Sequence, residues 1–358
     1  MPTSSKGKEA ARAFSALKVL SHLDKIQEMR RGTLVAPVTV ELDPTNICNH
    51  NCIWCLDQQF RDRCRDTLPW ETALSLIQEF AAMGVNAVVV KGSGEPTIVP
   101  HFARLLYALR DAGLKAAVTT NGSLLSDERA QALAECCDWV RVSVDAATRE
   151  THDAIHRPAR RGDFDQIIRN MQQLAALRDR RHSSLVIGYK FSADEHNYQE
   201  IVAATRLARD IGADNISLRA VDLACHGFDD KAFRAIQDEI VNGMVQAKQL
   251  GTDDFLVLVG GIRSPAAIHS CPAADLVGII SANGNVYACL DLKGREEYAM
   301  GNVYNGGFRS IWFGERRKEV RQKLNRLECR RHCSLKYDGY NEVLEAALGA
   351  CDIHAEFL

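Results

Sequence analysis

NICNHNCIWC, residues Asn46 to Cys55, closely follows a short apolar run, VTVEL (Val38 to Leu42), and places Cys48, Cys52 and Cys55 at C-x3-C-x2-C spacing. That spacing suits three corners of an iron-sulfur cubane, whose fourth iron stays open to a chelating ligand that one electron can split. A zinc knuckle with His50 or another residue as fourth ligand is the plainer reading of cysteines on one loop. What surrounds the loop weighs between them.

Downstream, AVVV (Ala87 to Val90), AAVTT (Ala116 to Thr120), WVRVSV (Trp139 to Val144), LVIGYKF (Leu185 to Phe191) and NISLRAV (Asn215 to Val221) join VTVEL as six candidate strands, all short, apolar and rich in β-branched residues. Amphipathic stretches separate them. PWETALSLIQEFAAMG (Pro69 to Gly84) and PHFARLLYALRDAG (Pro100 to Gly113) open on Pro and close on Gly, SDERAQALAECC begins with a Ser cap at Ser126, and NYQEIVAATRLARDIG spans Asn197 to Gly212. Six strand-then-helix repeats predict an α/β fold with a parallel sheet and right-handed crossovers, either a partial barrel or a doubly wound sheet. Both collect chemistry at the carboxyl ends of the strands. Apolar positions Phe14, Leu17, Val19, Leu20, Leu23 and Ile26 predict a helical extension over residues 1–35 that serves as lid or buttress. The core domain then covers 36–225, a connecting segment with one helix and the strand-like FLVLVGG (Phe255 to Gly261) covers 226–262, and a cysteine-bearing domain covers 263–358.

With 44 basic and 46 acidic residues among 358, a net charge of -2 gives no field that would gather nucleic acid or an anionic membrane. No apolar run reaches 18 residues, and MPTSSKGKEAARAF lacks the apolar centre of a secretory signal, so a cytoplasmic protein is expected. Twelve cysteines in a reducing compartment point to metal or redox chemistry rather than to disulfides.

A cysteine triplet on the loop after the first strand of six βα units resembles the radical S-adenosylmethionine (SAM) superfamily. The resemblance implies a partial (β/α)6 TIM-like barrel, a [4Fe-4S] cluster on Cys48, Cys52 and Cys55, and SAM bound to its open iron through the amino and carboxylate groups. Trp54 matches the aromatic position near the adenine. KGSGEP (Lys91 to Pro96) is similar to the family's G-G-E-P segment, so that Gly92 and Gly94 would let backbone approach the methionine amino group and Glu95 would accept a hydrogen bond from it. TTNG (Thr119 to Gly122), with Asn121, and SVD, with Ser143 and Asp145, fall where family members keep polar groups near the SAM ribose and carboxylate. Such strand-end residues also serve as caps and turn formers. Lys190 and Arg219 would meet the SAM carboxylate or an anionic substrate, or stand as solvated rim charges.

The last domain resembles the SPASM/twitch extension of the same superfamily. Cys271, twelve residues, Gly284, four residues and Cys289 match its opening, with an N-G turn inside SANGNVYAC (Ser281 to Cys289); GNVY from Gly301, SIW (Ser310 to Trp312) and CRRHC (Cys329 to Cys333) follow. Five cysteines after residue 270 are too few for two auxiliary clusters. The expectation is therefore a small α+β twitch-type domain with one auxiliary [4Fe-4S] cluster on Cys271, Cys289, Cys329 and Cys333, with His332 or Cys351 as substitute ligands. A zinc ribbon on the same cysteines is the alternative.

By this resemblance the enzyme cleaves SAM reductively to a 5'-deoxyadenosyl radical and abstracts hydrogen from a small polar metabolite: a sugar, aminocyclitol or nucleoside. Oxidation, epimerisation, decarboxylation and dehydration are the open outcomes, and an external donor such as flavodoxin or ferredoxin supplies the electron. Cys225, in DLACHG (Asp222 to Gly227), is the candidate catalytic hydrogen donor, with a packed small hydrophobe as the alternative. Cys64, Cys136 and Cys137 read as packing residues. Two other functions stay open: a maturase that modifies a ribosomally made peptide, and a zinc-stabilised binding protein without SAM chemistry. The absence of an evident peptide-recognition domain before residue 36 weighs against the maturase.

Overall fold

The β-branched runs become strands: β1 (Thr39–Leu42), β2 (Ala87–Val90), β3 (Lys115–Thr120), β4 (Trp139–Ser143), β5 (Val186–Ala193) and β6 (Asn215–Ala220). Four more follow: β7 (Leu256–Val259), β8 (Val277–Ile280), β9 (Asn285–Tyr287) and β10 (Ala299–Asn302). This computed structural model describes residues 15–220, 231–260, 271–324 and 337–349. Its ten strands make one sheet in the order β10-β9-β8-β1-β2-β3-β4-β5-β6-β7, and every pair from β1 to β7 is parallel. From β1 to β7 the order never reverses. A doubly wound sheet needs such a reversal, whereas successive right-handed crossovers in one direction put the helices on one face and leave the other as the lumen of an open, partial barrel.

FLVLVGG, expected in a connecting segment, supplies a seventh parallel strand: Ile216 stands opposite Val257 and Leu218 opposite Val259. Nor does the sheet stop near residue 262. β8 pairs in parallel with the free edge of β1, Val40 opposite Gly278 and Leu42 opposite Ile280, and the antiparallel β9 and β10 extend it.

Alternation along each strand sorts the two faces. Val40, Leu42, Val88, Val90, Val118, Val140, Val142, Ile187, Tyr189, Phe191, Ile216 and Leu218 are buried in a continuous core. The intervening positions carry Glu41, Thr119, Arg141, Ser143, Lys190, Ser192, Ser217 and Arg219, with Val89, Ala117 and Trp139 in the row of Glu41, so the lumen is polar toward the carboxyl ends of β3 to β6.

The helices end where the sequence signals. Trp70–Met83 starts after Pro69 and closes at Gly84, whose φ of 73° lets its N–H reach the carbonyls of Phe80 and Ala81. Phe102–Asp111 ends just before Gly113 in the same left-handed conformation. The N-terminal segment, a 3-10 turn over Ala16–His22 and a helix over Leu23–Arg30, packs Val19 and Ile26 with Val35, Leu276 and Leu344 in a second small core. It is a buttress to the C-terminal helix Asp338–Gly349.

Candidate active site

Beyond β1 the chain turns at Thr45, whose hydroxyl accepts the Ile47 N–H at 3.1 Å, and the cysteine loop closes with Cys55 N–H on the Cys52 carbonyl at 3.2 Å. All three cysteines are half-buried. Burial, then the charge of Glu95, pushes the Cys48 thiol up to about 11. Burial and the two neighbouring cysteines raise Cys52 further, and burial also raises Cys55. Three thiols that obstruct one another's ionisation fit a cationic iron cluster, whose charge would offset both effects. His50 is set apart from them: its buried ring is bonded through Nε2 to Asp163 Oδ2 at 2.6 Å, and its ring nitrogens group with those of His152 and His156 and not with the three thiols. Trp54 lies half-buried on the same loop.

The KGSGEP segment runs against this loop, backbone to backbone. Gly94 N–H donates to the Thr45 carbonyl at 3.1 Å and Glu95 N–H to the Ile47 carbonyl at 2.9 Å. A Cβ on Gly94 would sit 2.2 Å from the Ile47 carbonyl oxygen; one on Gly92 would stand 3.1 Å from that of Thr45. Glu95 is buried and largely spoken for. Its Oε1 accepts from Thr97 N–H (3.1 Å), Thr97 Oγ1 (2.5 Å) and Thr120 Oγ1 (2.6 Å), and Oε2 accepts the Asn121 N–H (2.7 Å). A carboxylate has about four lone-pair sites, so Oε2 alone keeps room for an outside donor. Asn121 is likewise occupied: its Nδ2 donates to Asn49 Oδ1 at 2.8 Å and its Oδ1 accepts from Ser123. Both residues tie the strand ends to the cysteine loop.

Asp145 differs from the expectation of an open SAM contact. It sits in left-handed backbone (φ 55°), fully buried, with Oδ1 accepting the Ser192 N–H at 2.6 Å and Oδ2 standing 3.2 Å from His156 Nε2. Burial raises its pKa, but His156 and the charge of Lys190 outweigh this and leave it below the usual value. Ser143, Lys190 and Ser217 share one lumen row, with Arg141 one step deeper and Arg219 one step toward the rim. Burial, then the charge of Arg219, lowers the pKa of Arg141.

Cys271 and Cys289 both lie beside the start of the C-terminal helix. Asn341 Nδ2 donates to Cys271 Sγ at 3.4 Å, while Tyr337, which donates to Glu41 Oε1 at 3.3 Å, lies in the field of Cys289. Cys225, Cys329, His332, Cys333 and Cys351 fall outside the described residues. Cys136 and Cys137 pack in the core as expected. Cys64 does not: it donates to Asp66 Oδ2 at 2.7 Å.

Two features escaped the sequence reading. Lys293, on the loop after β9, is 1% exposed and pairs with Asp43 Oδ2 at 2.7 Å and Asp57 Oδ2 at 3.4 Å. Burial pushes its pKa down, and the two carboxylates more than reverse that. His152 and His156, four residues apart on the helix Arg149–His156, stack at 4.6 Å beneath the cysteine loop. Their i, i+4 spacing was a readable signal; a pair 250 positions apart in sequence, such as Asp43 and Lys293, carries none.

Comparison with known proteins agrees with this arrangement. The radical SAM superfamily profile matches residues 42–196 and that of SPASM, an iron-sulfur cluster-binding domain, matches 271–334. Mycofactocin maturase MftC of Mycobacterium tuberculosis is 30% identical over 304 residues, 80% of this chain and 73% of the relative. This chain belongs to the radical SAM superfamily. As a radical SAM protein with a SPASM domain it uses a [4Fe-4S] cluster, SAM and an auxiliary iron-sulfur cluster. Among solved structures, SuiB of Streptococcus suis bound to precursor peptide SuiA superposes with a TM-score of 0.64 at 15% identity, over 88% of this chain and 75% of that one. A structure of anSMEcpe with bound AdoMet gives 0.53 at 14% identity, over 89% and 97%. Both share the radical SAM fold. Among the described residues no helix is long and apolar enough to cross a membrane.

Proposed function

We propose that this radical SAM enzyme is a maturase that modifies a peptide, in preference to the small hydroxylated metabolite that the twitch resemblance suggested. The observation that carries this reading is the 30% identity to mycofactocin maturases across 80% of the chain. The fold shared with SuiB, solved with a precursor peptide, supports it. In this reading Cys48, Cys52 and Cys55 hold the SAM cluster, and Cys271, Cys289, Cys329 and Cys333 the auxiliary one. When bound and reduced by an external donor, the first cluster and SAM supply a hydrogen-abstracting radical. The chain's own work is placement. Gly92 and Gly94 leave backbone space beside the cluster loop, Ser143 and Lys190 line the lumen at the strand ends, and the polar lumen holds the substrate segment close to SAM while excluding stray hydrogen donors.

The test is anaerobic turnover of the reconstituted enzyme with SAM, dithionite and short peptides encoded beside its gene, followed by mass spectrometry. A discrete mass change in one peptide, absent in the Cys48→Ala variant, is the expected result. Peptides left unchanged while an aminocyclitol, sugar or nucleoside is converted would overturn the assignment.

A further inference from the structure

We propose that His156 donates its Nδ1–H to the Cys52 thiolate of the assembled [4Fe-4S] cluster and so raises that cluster's reduction potential; this rests on Cys52 being a cluster ligand. The contact is built by the backbone. The end of the helix Arg149–His156 is stitched to the cysteine loop through Asn51 N–H on the His156 carbonyl (3.0 Å), Ile53 N–H on the Ile155 carbonyl (2.9 Å) and Ala159 N–H on the Asn49 carbonyl (3.0 Å). Arg157 turns left-handed, at φ 44°, to allow it. Those bonds set the imidazole with Nδ1 3.3 Å from Cys52 Sγ. The ring is 3% exposed, stacked on His152 on one face and met edge-on by His50. On its far side Nε2 lies 3.2 Å from Asp145, whose own carboxylate is anchored by Ser192 N–H. The ring therefore stands between a thiolate and a carboxylate with little freedom to turn.

A three-histidine metal site is the competing use of this cluster, since His50, His152 and His156 bring ring nitrogens within 4.8 Å of one another. The geometry disfavours it. His152 and His156 are within 18° of parallel, so their in-plane lone pairs run alongside each other instead of converging on one ion. A hydrogen bond to a cluster sulfur is the role that remains. It stabilises the reduced, more negative cluster over the oxidised one, because hydrogen bonds to the sulfurs are among the terms that set cluster potential. The lower dielectric of the buried site strengthens it. His156 thereby tunes how readily the donor's electron reaches the SAM site, without touching SAM.

The test uses full-length protein reconstituted without oxygen. Wild type, His156→Phe and His156→Gln are compared for iron content and, by EPR-monitored redox titration, for the midpoint potential of the SAM cluster. His156→Phe is expected to titrate at lower potential with its iron retained, and His156→Gln, which keeps a donor, to fall between. Wild type labelled with 15N-histidine provides a readout independent of any variant: pulsed EPR of the reduced cluster should show a nitrogen coupling. Equal potentials in all three proteins, or no histidine coupling in the wild type, would overturn the proposal. A Cys52→Ala variant that still assembles the SAM cluster with unchanged iron content would refute the ligand assignment beneath it as well.

Discussion

Gly94 shows how a single missing carbon shapes the site. A Cβ there would lie 2.2 Å from a backbone oxygen of the cysteine loop, a clash that no side-chain rotation relieves. Gly94→Ala should therefore force the two loops apart at about 1–3 kcal/mol, the usual range for overpacking, and SAM affinity should fall with it. Isothermal titration of reconstituted protein with SAM checks this; unchanged affinity and unchanged unfolding midpoint would mean the loops are freer than their hydrogen bonds indicate. His152 carries a second residue-scale prediction. Burial first, then the charge of His156, lowers its pKa from 6.5 to about 4. The folded state resists a proton that the unfolded chain accepts, so this contribution to stability is complete above pH 6.5, declines as pH falls, and is lost by about pH 4. The whole window corresponds to roughly 3 kcal/mol. Replacing His152 by Phe should flatten the stability profile between those limits in urea melts; a slope equal to that of wild type would exclude His152 as its source.

At the scale of elements, the sequence was most readable where period and punctuation agree. The β-branched runs place β1 to β6, and Pro and Gly bound the helices Trp70–Met83 and Phe102–Asp111, because one residue type at one position decides each of those boundaries; the helices Arg149–His156 and Asp163–Arg180 between β4 and β5 carry no such pair and are not read from the sequence. β7 falls in the expected connecting segment because four apolar residues carry no period of their own, and its membership depends on pairing with β6. β8 was equally hidden: only a long-range contact puts it on the edge of β1. In the site, the cysteine triplet and the glycines were legible as chemistry, whereas the actual bonding of Glu95, Asn121 and Asp145 depends on elements that meet only after folding. Lys293 is the plainest case. Its pair with Asp43 locks the loop after β9 to the end of β1, beside the start of the cysteine loop, and Asp43 also accepts from Ser93 in the KGSGEP segment. Lys293→Met should destabilise by about 3–5 kcal/mol because it strands a buried carboxylate. The double variant Asp43→Asn with Lys293→Met should recover part of that loss. Chemical denaturation of the four proteins of the cycle measures it, and a double variant no more stable than the single would refute charge pairing as the reason for the burial.

The whole molecule joins its two cluster regions through one strand. The carboxyl end of β1 leads into the cysteine loop, its edge carries β8, and its lumen residue Glu41 pairs with Lys91 and accepts from Tyr337, next to Cys289. Asn341, one helical turn on from Tyr337, holds Cys271. The auxiliary region is thus built onto the same sheet that carries the SAM loop, with Asn341 of the C-terminal helix bonded to Cys271 and Tyr337, just before that helix, in the field of Cys289. For a cluster so placed the expected role is at the substrate end of the reaction and not in SAM cleavage. Cys289→Ala should then lower iron from about eight to about four atoms per chain, leave reductive cleavage of SAM in place, and end conversion of the proposed peptide substrate. The three readouts separate the cases. Loss of SAM cleavage as well would mean that the auxiliary region supports the SAM loop through β1 and Tyr337, and peptide conversion at full rate with four irons would make the second site structural. Iron that stays near eight would remove Cys289 from the ligand set.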